Sequence, residues 1–191
     1  MKKKDITLLF LSATVLFACN NANKDSVEKA DSTNTVIQDS AANNNVATID
    51  EESSSFLVRV ASSGMAETQM ASTAQLNATY QPVKDFAAML YKDHTAVNEQ
   101  VKALAQQKNV VLPTEAAADK QKMVNDLKTK AGKDVDRSFL KIMVDNHEAG
   151  IDMFEKAAKN AKDADVKNFA EKTLPTLRAH LAEAKKLQNQ Y

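Results

Sequence analysis

The chain carries three histidines, His94, His147 and His180, and each falls in a stretch with helical periodicity. Imidazole is the commonest metal ligand and the side chain that changes charge nearest neutral pH. Alternating steps of three and four place Leu90, His94 and Val97 on one apolar stripe, and Met143, His147 and Gly150 on a second. A third stripe runs through Leu177, His180 and Ala184. Chance would set all three on core heptad positions about twice in a hundred arrangements. A fourth stripe, through Val60, Gly64, Glu67 and Ala71, carries a carboxylate instead. Glu67, His94 and His147 lie at or beside the midpoints of their stretches, and His180 sits roughly 4.5 Å of helical rise beyond its own. One potential ligand per helix at similar depth is how a helical bundle builds an internal metal site. Glu67, His94, His147 and His180 are therefore expected to cluster and to hold one divalent transition metal: zinc, copper, manganese or iron. Their donor atoms would converge within roughly 2.0–2.2 Å of a common point. The competing expectation is a metal-free core in which these groups satisfy one another, because each unpaired buried group costs roughly 1–3 kcal/mol.

Neighbouring side chains complete the chemistry. Asp93 and Glu148 adjoin histidines in sequence, but successive helical positions diverge by about 100°. They suit partnership with a histidine on a flanking helix, or the solvated surface. Met70, Met89, Met143 and Met153 read as core filler, although thioethers near imidazoles also suit copper. No glycine-rich phosphate loop, nucleophile elbow or Cys–His pair occurs.

Long helices must position these residues. Abundant Ala, Lys, Gln and Leu, with three Gly, three Pro and no Trp, favour helix over sheet. Periodic stretches cover about 54–79, 82–108, 134–160 and 164–190, with a shorter helix near 114–129. Pro82 suits a first helical turn, while Asn109, Gly132 and Asn160 mark ends. Pro175 lies inside the last stretch and removes one backbone donor. Tight turns at 79–82 and 160–163 make two antiparallel hairpins, and the long connection between them suggests a ferritin-like four-helix bundle over residues 53–191. A plain up-down bundle with a capping helix is the alternative.

Residues 1–18 read as an export signal: Lys2, Lys3 and Lys4 precede the 12-residue apolar run ITLLFLSATVLF. That run is too short to span a bilayer. Leu16-Phe17-Ala18-Cys19 resembles a lipobox, so Cys19 is the expected lipidation site. It is the sole cysteine of the chain, which excludes an internal disulfide. The polar segment 19–52, rich in Asn, Ser and Asp, is expected to be a disordered tether holding the domain roughly 30 Å from its membrane anchor. Outer-membrane attachment, facing the periplasm or the cell surface, follows from that reading. The 25 basic and 25 acidic side chains balance, which argues against nucleic acid as a partner.

GMAETQMA (64–71), VKDFAAMLYKDHTAVNEQVKALA (83–105), DNHE (145–148) and TLPTLRAH (173–180) resemble the bacterial family known as domain of unknown function 4142. The resemblance covers about residues 54–188 and implies an exported, ferritin-like helical protein without an established activity. It does not bring a di-iron centre with it. Such centres place a glutamate three residues before each histidine, whereas Tyr91, Val144 and Leu177 occupy those positions. The expected function is metal or small-ligand binding. The rival is a structural or interaction lipoprotein, and an oxidative enzyme would need an open coordination position with a channel to it.

Overall fold

The computed structural model describes residues 25–44 and 48–190. Among them are six helices and no strand: α1 (Ser26–Asn43), α2 (Glu51–Asn77), α3 (Gln81–Gln107), α4 (Ala118–Lys128), α5 (Lys133–Asn160) and α6 (Ala164–Gln190). The four long helices match the periodic stretches to within a few residues. Their termini follow local chemistry. Asp50 caps α2 by accepting hydrogen bonds from Ser53 N at 3.1 Å and Ser53 Oγ at 2.7 Å. Pro82 occupies the first turn of α3, where its missing N–H costs nothing. Gly132 precedes α5 with φ +59° and ψ −135°, a region closed to side chains with a Cβ.

Two polar contacts fix the chain's path. At one end the carboxylate of fully buried Asp136, in the first turn of α5, accepts from Thr79 N (3.1 Å), Thr79 Oγ1 (2.6 Å) and Tyr80 N (3.4 Å) in the α2–α3 turn. At the other, Lys108 beyond α3 pairs with Asp163 (2.8 Å) in the α5–α6 turn and with Asp165 (2.6 Å) in the first turn of α6. Helices α3 and α5 are therefore parallel, and the connection carrying α4 travels the length of the bundle. Two antiparallel hairpins joined by one long crossover are consistent with the ferritin-like connection.

The core divides into two apolar clusters. One gathers Met70, Leu90, Phe139, Leu140 and Met143 toward the α2–α3 turn. The second gathers Phe56, Leu57, Val101, Phe154, Phe169 and Leu177 toward the α5–α6 turn. In the second, Phe56 meets Phe154 edge-on at 5.0 Å between ring centroids. A polar layer separates the two.

One expectation fails. The segment expected to be a disordered tether, 19–52, contains α1, which lies against α2 and the crossover. Its docking joins a small apolar contact, buried Ala30 with half-buried Val27 against the second cluster, to a set of hydrogen bonds. Buried Asn34 donates from Nδ2 to Val111 O at 2.9 Å and accepts from Val111 N at 2.7 Å. Buried Ser26 Oγ accepts from Thr114 N at 3.0 Å. Polar composition does not exclude a helix where a neighbouring irregular strand of backbone offers unmet donors and acceptors. The signal segment 1–18 and Cys19 lie outside the described residues.

Candidate metal centre

The polar layer between the apolar clusters is the set of sequence-predicted residues. His94 on α3, His147 on α5 and His180 on α6 are all buried, at 4%, 2% and 2% exposure. Their ring centroids form a nearly equilateral triangle with sides of 5.4, 5.5 and 5.4 Å. One nitrogen from each ring lies within 4.8 Å of the other two. Packing places them there, because each sits between residues of both clusters: Leu90 and Val101 flank His94, and Met143 and Phe154 flank His147.

Each ring has its outward nitrogen committed to an acceptor. Glu67 Oε2 on α2 stands 3.2 Å from His94 Nδ1. The Met143 carbonyl, one turn back on α5, accepts from His147 Nδ1 at 2.9 Å. Asp93 on α3 accepts from His180 Nε2 at 3.0 Å. Carbonyl and carboxylate oxygens accept only, so the two hydrogen bonds place a proton on the outward nitrogens of His147 and His180, and the nearby Glu67 carboxylate favours one on His94 Nδ1. In neutral rings the inward nitrogens, His94 Nε2, His147 Nε2 and His180 Nδ1, then carry lone pairs. Burial, the largest influence, pushes His147 down from its ordinary 6.5 to about 4, and burial likewise lowers His180. His94 Nε2 is buried with no hydrogen-bond partner.

The inward distances suit an ion. Tetrahedral coordination at about 2.0–2.1 Å spaces nitrogens by roughly 3.3 Å. His147 Nε2 and His180 Nδ1 already stand 3.3 Å apart. Only His94 must swing inward.

Glu67 is brought to the cluster but not into the converging set. Its oxygen sits behind His94, where it orients the ring and makes the inward nitrogen more basic. Asp93 serves His180 in the same way, reaching across to a flanking helix because it diverges from its neighbour His94. Glu148 does not join and pairs at the surface with Lys185 at 2.6 Å.

A cavity of about 290 Å³ adjoins the layer, with His94, His147 and Glu67 in its lining. The sequence reading did not anticipate it, although Gly150 on the His147 stripe was a signal. A glycine in a helix interior marks close approach or open space, and a Cβ built at Gly150 meets nothing within 4 Å. Gly64 shows the other case. There an added Cβ would stand 1.8 Å from Asn98 Oδ1, so only glycine lets that α3 side chain in against α2.

No curated protein matches the chain. Among solved structures it is similar to a DUF305 fragment from Deinococcus radiodurans, with 14% identity and a TM-score of 0.67, covering 76% of this chain and 100% of the other. At that identity the likeness is one of fold. The family model described as Domain of unknown function (DUF4142) matches residues 38–187, from the end of α1 into the last turn of α6. This is the family that the histidine-bearing motifs resemble, and the match takes in the whole polar layer: the chain belongs to the DUF4142 family.

Proposed function

We propose that the protein binds one divalent transition metal through His94, His147 and His180, and that it does so as an exported lipoprotein anchored at Cys19. The observation that carries the metal reading is the triangle of inward nitrogens whose outward partners all accept. Neutral rings so held direct three lone pairs at one point, and a cation satisfies all three together. An all-nitrogen set, with Glu67 behind His94, suits zinc or copper better than manganese. Three protein ligands also leave a position open for a further ligand. The basic n-region, the apolar run and the cysteine at residue 19 support the envelope part of the reading.

The 3.3 Å contact between His147 and His180 favours a second reading, a hydrogen-bonded core in a structural or interaction lipoprotein. That bond needs an inward nitrogen to carry a proton as well. The donating ring would then be a buried imidazolium, or would turn a lone pair toward its outward acceptor: the Met143 carbonyl for His147, Asp93 for His180. Both are costly at 2% exposure.

Metal content and melting temperature of the purified protein, with and without chelator, decide between the two. At a metal concentration 100 times Kd, mass action adds about 2.7 kcal/mol. For a chain of this size that raises Tm by roughly 5–10 °C. His147→Ala should abolish the difference. Identical melting with every metal offered, and no stoichiometric metal, would leave the hydrogen-bonded core.

A further inference from the structure

The cavity beside the histidine layer has a distinct chemical character. Its buried end is formed by His94, His147 and Glu67, and its sides by Val60, Val97, Met153, Phe154 and Leu177. Exposed Arg59 and half-buried Lys120 stand at the rim with Asp119. Neither Arg59 nor Lys120 forms an ion pair among the described residues. Two lining residues also bring buried polar atoms without a hydrogen-bond partner: His94 Nε2 and Asn146 Nδ2. The first is a lone pair and the second a donor.

We infer that this cavity is a binding pocket for a small carboxylate with an apolar body, whose head group fills the open coordination position of the histidine-bound metal. The inference rests on the metal reading above. A carboxylate has two oxygens, so one can ligate the metal while the second accepts from Asn146 Nδ2. A hydrated inorganic anion would satisfy those groups but waste the apolar walls, whereas an aliphatic chain buries against them at about 25 cal/mol per Å². Lys120 and Arg59, the latter partly compensated at longer range by Asp31, favour entry of an anion at the rim. At roughly 30 Å³ per water-sized group, about 290 Å³ accommodates on the order of ten non-hydrogen atoms, the size of octanoate.

The pocket has a built-in means of testing it. Gly150 lines the cavity and has open space at its Cβ, so Gly150→Leu should fill the volume without touching a histidine. The experiment loads the purified protein with cobalt(II), whose visible absorption reports coordination, and titrates octanoate. The expected result is a saturable 1:1 change in the cobalt spectrum, with affinity at least about tenfold weaker in Gly150→Leu at unchanged cobalt stoichiometry. Asn146→Asp, which sets a negative charge beside the carboxylate, should weaken octanoate similarly and serves if Gly150→Leu does not fold. Cobalt bound with a spectrum indifferent to octanoate overturns the pocket and leaves the metal centre standing. Equal octanoate affinity in the variants does the same. Failure to bind stoichiometric cobalt overturns both readings.

Discussion

At the scale of single residues, the histidine layer works because each imidazole has two nitrogens with separate duties. The outward one faces an acceptor, by a hydrogen bond to Met143 O or Asp93 or by a 3.2 Å contact with Glu67, and the inward one points at the other rings. Removing an outward acceptor should weaken metal binding without abolishing it. Glu67→Gln keeps an acceptor but loses the charge, so affinity measured by competition with a chromophoric chelator should fall by about tenfold, at the low end for such partners. Complete loss of metal at saturating concentration would instead make Glu67 a direct ligand. The same burial predicts acid sensitivity in the metal-free protein. His147 titrates near 4 in the fold against 6.5 when exposed, so between those values the unfolded chain binds more protons. Stability is then fully present above about pH 6.5 and lost as pH falls toward 4, by on the order of 3 kcal/mol. Urea midpoints measured with chelator present should fall over that range, and His147→Leu should flatten the dependence.

At the scale of elements, polar residues rather than apolar ones set how the helices connect. Asp136 is fully buried and satisfies three donors of the α2–α3 turn from the first turn of α5. It therefore specifies which end of the bundle the crossover must reach. Asp136→Ala leaves those donors unmet in the interior and should cost about 3 kcal/mol. The check is the urea midpoint at constant m, and a loss under about 1 kcal/mol would mean that water replaces the carboxylate. Helix α1 follows the same logic. Asn34 exchanges two hydrogen bonds with Val111 in the irregular start of the crossover, so a helix whose apolar contact is limited to Ala30 and Val27 still docks. Helix α4 lies against α2 in the same connection, where Ser62 Oγ accepts from Ala117 N at 2.9 Å.

At the scale of the whole molecule, the layer of His94, His147, His180 and Glu67 splits one bundle core into two apolar halves. A buried polar layer of this kind fixes helix register, because sliding any helix by a turn would put an imidazole against hydrocarbon. The cavity and the layer share a level of the bundle, so the proposed metal site, the pocket and the register are aspects of one feature. The proposed membrane anchor rests on Cys19. If the proposed lipidation is correct, Cys19→Ser should move the protein from the membrane fraction to the soluble one on centrifugation. Unchanged membrane association in that variant counts against the anchor.

The sequence by itself determined the four long helices and the stripes on which Glu67, His94, His147 and His180 lie. Periodicity of 3.6 is a local property, and an apolar stripe can face only a core. It also excluded the di-iron pattern, since Tyr91, Val144 and Leu177 stand where carboxylates would be required. Tertiary structure decided what each polar group meets. Whether Glu67 joins the converging nitrogens or stands behind His94 depends on a shift of one bond rotation across two helices, which no spacing encodes. Asp93 finds His180 only because α3 and α6 pack side by side. The docking of α1 was hard to read because its apolar contact is as small as Ala30 and Val27, and its hydrogen-bond partners are backbone groups of the crossover, which every sequence carries alike. The open volume at Gly150 is likewise a property of the packed helices, all six of which line it, since a missing side chain becomes a cavity only when its neighbours do not close over it.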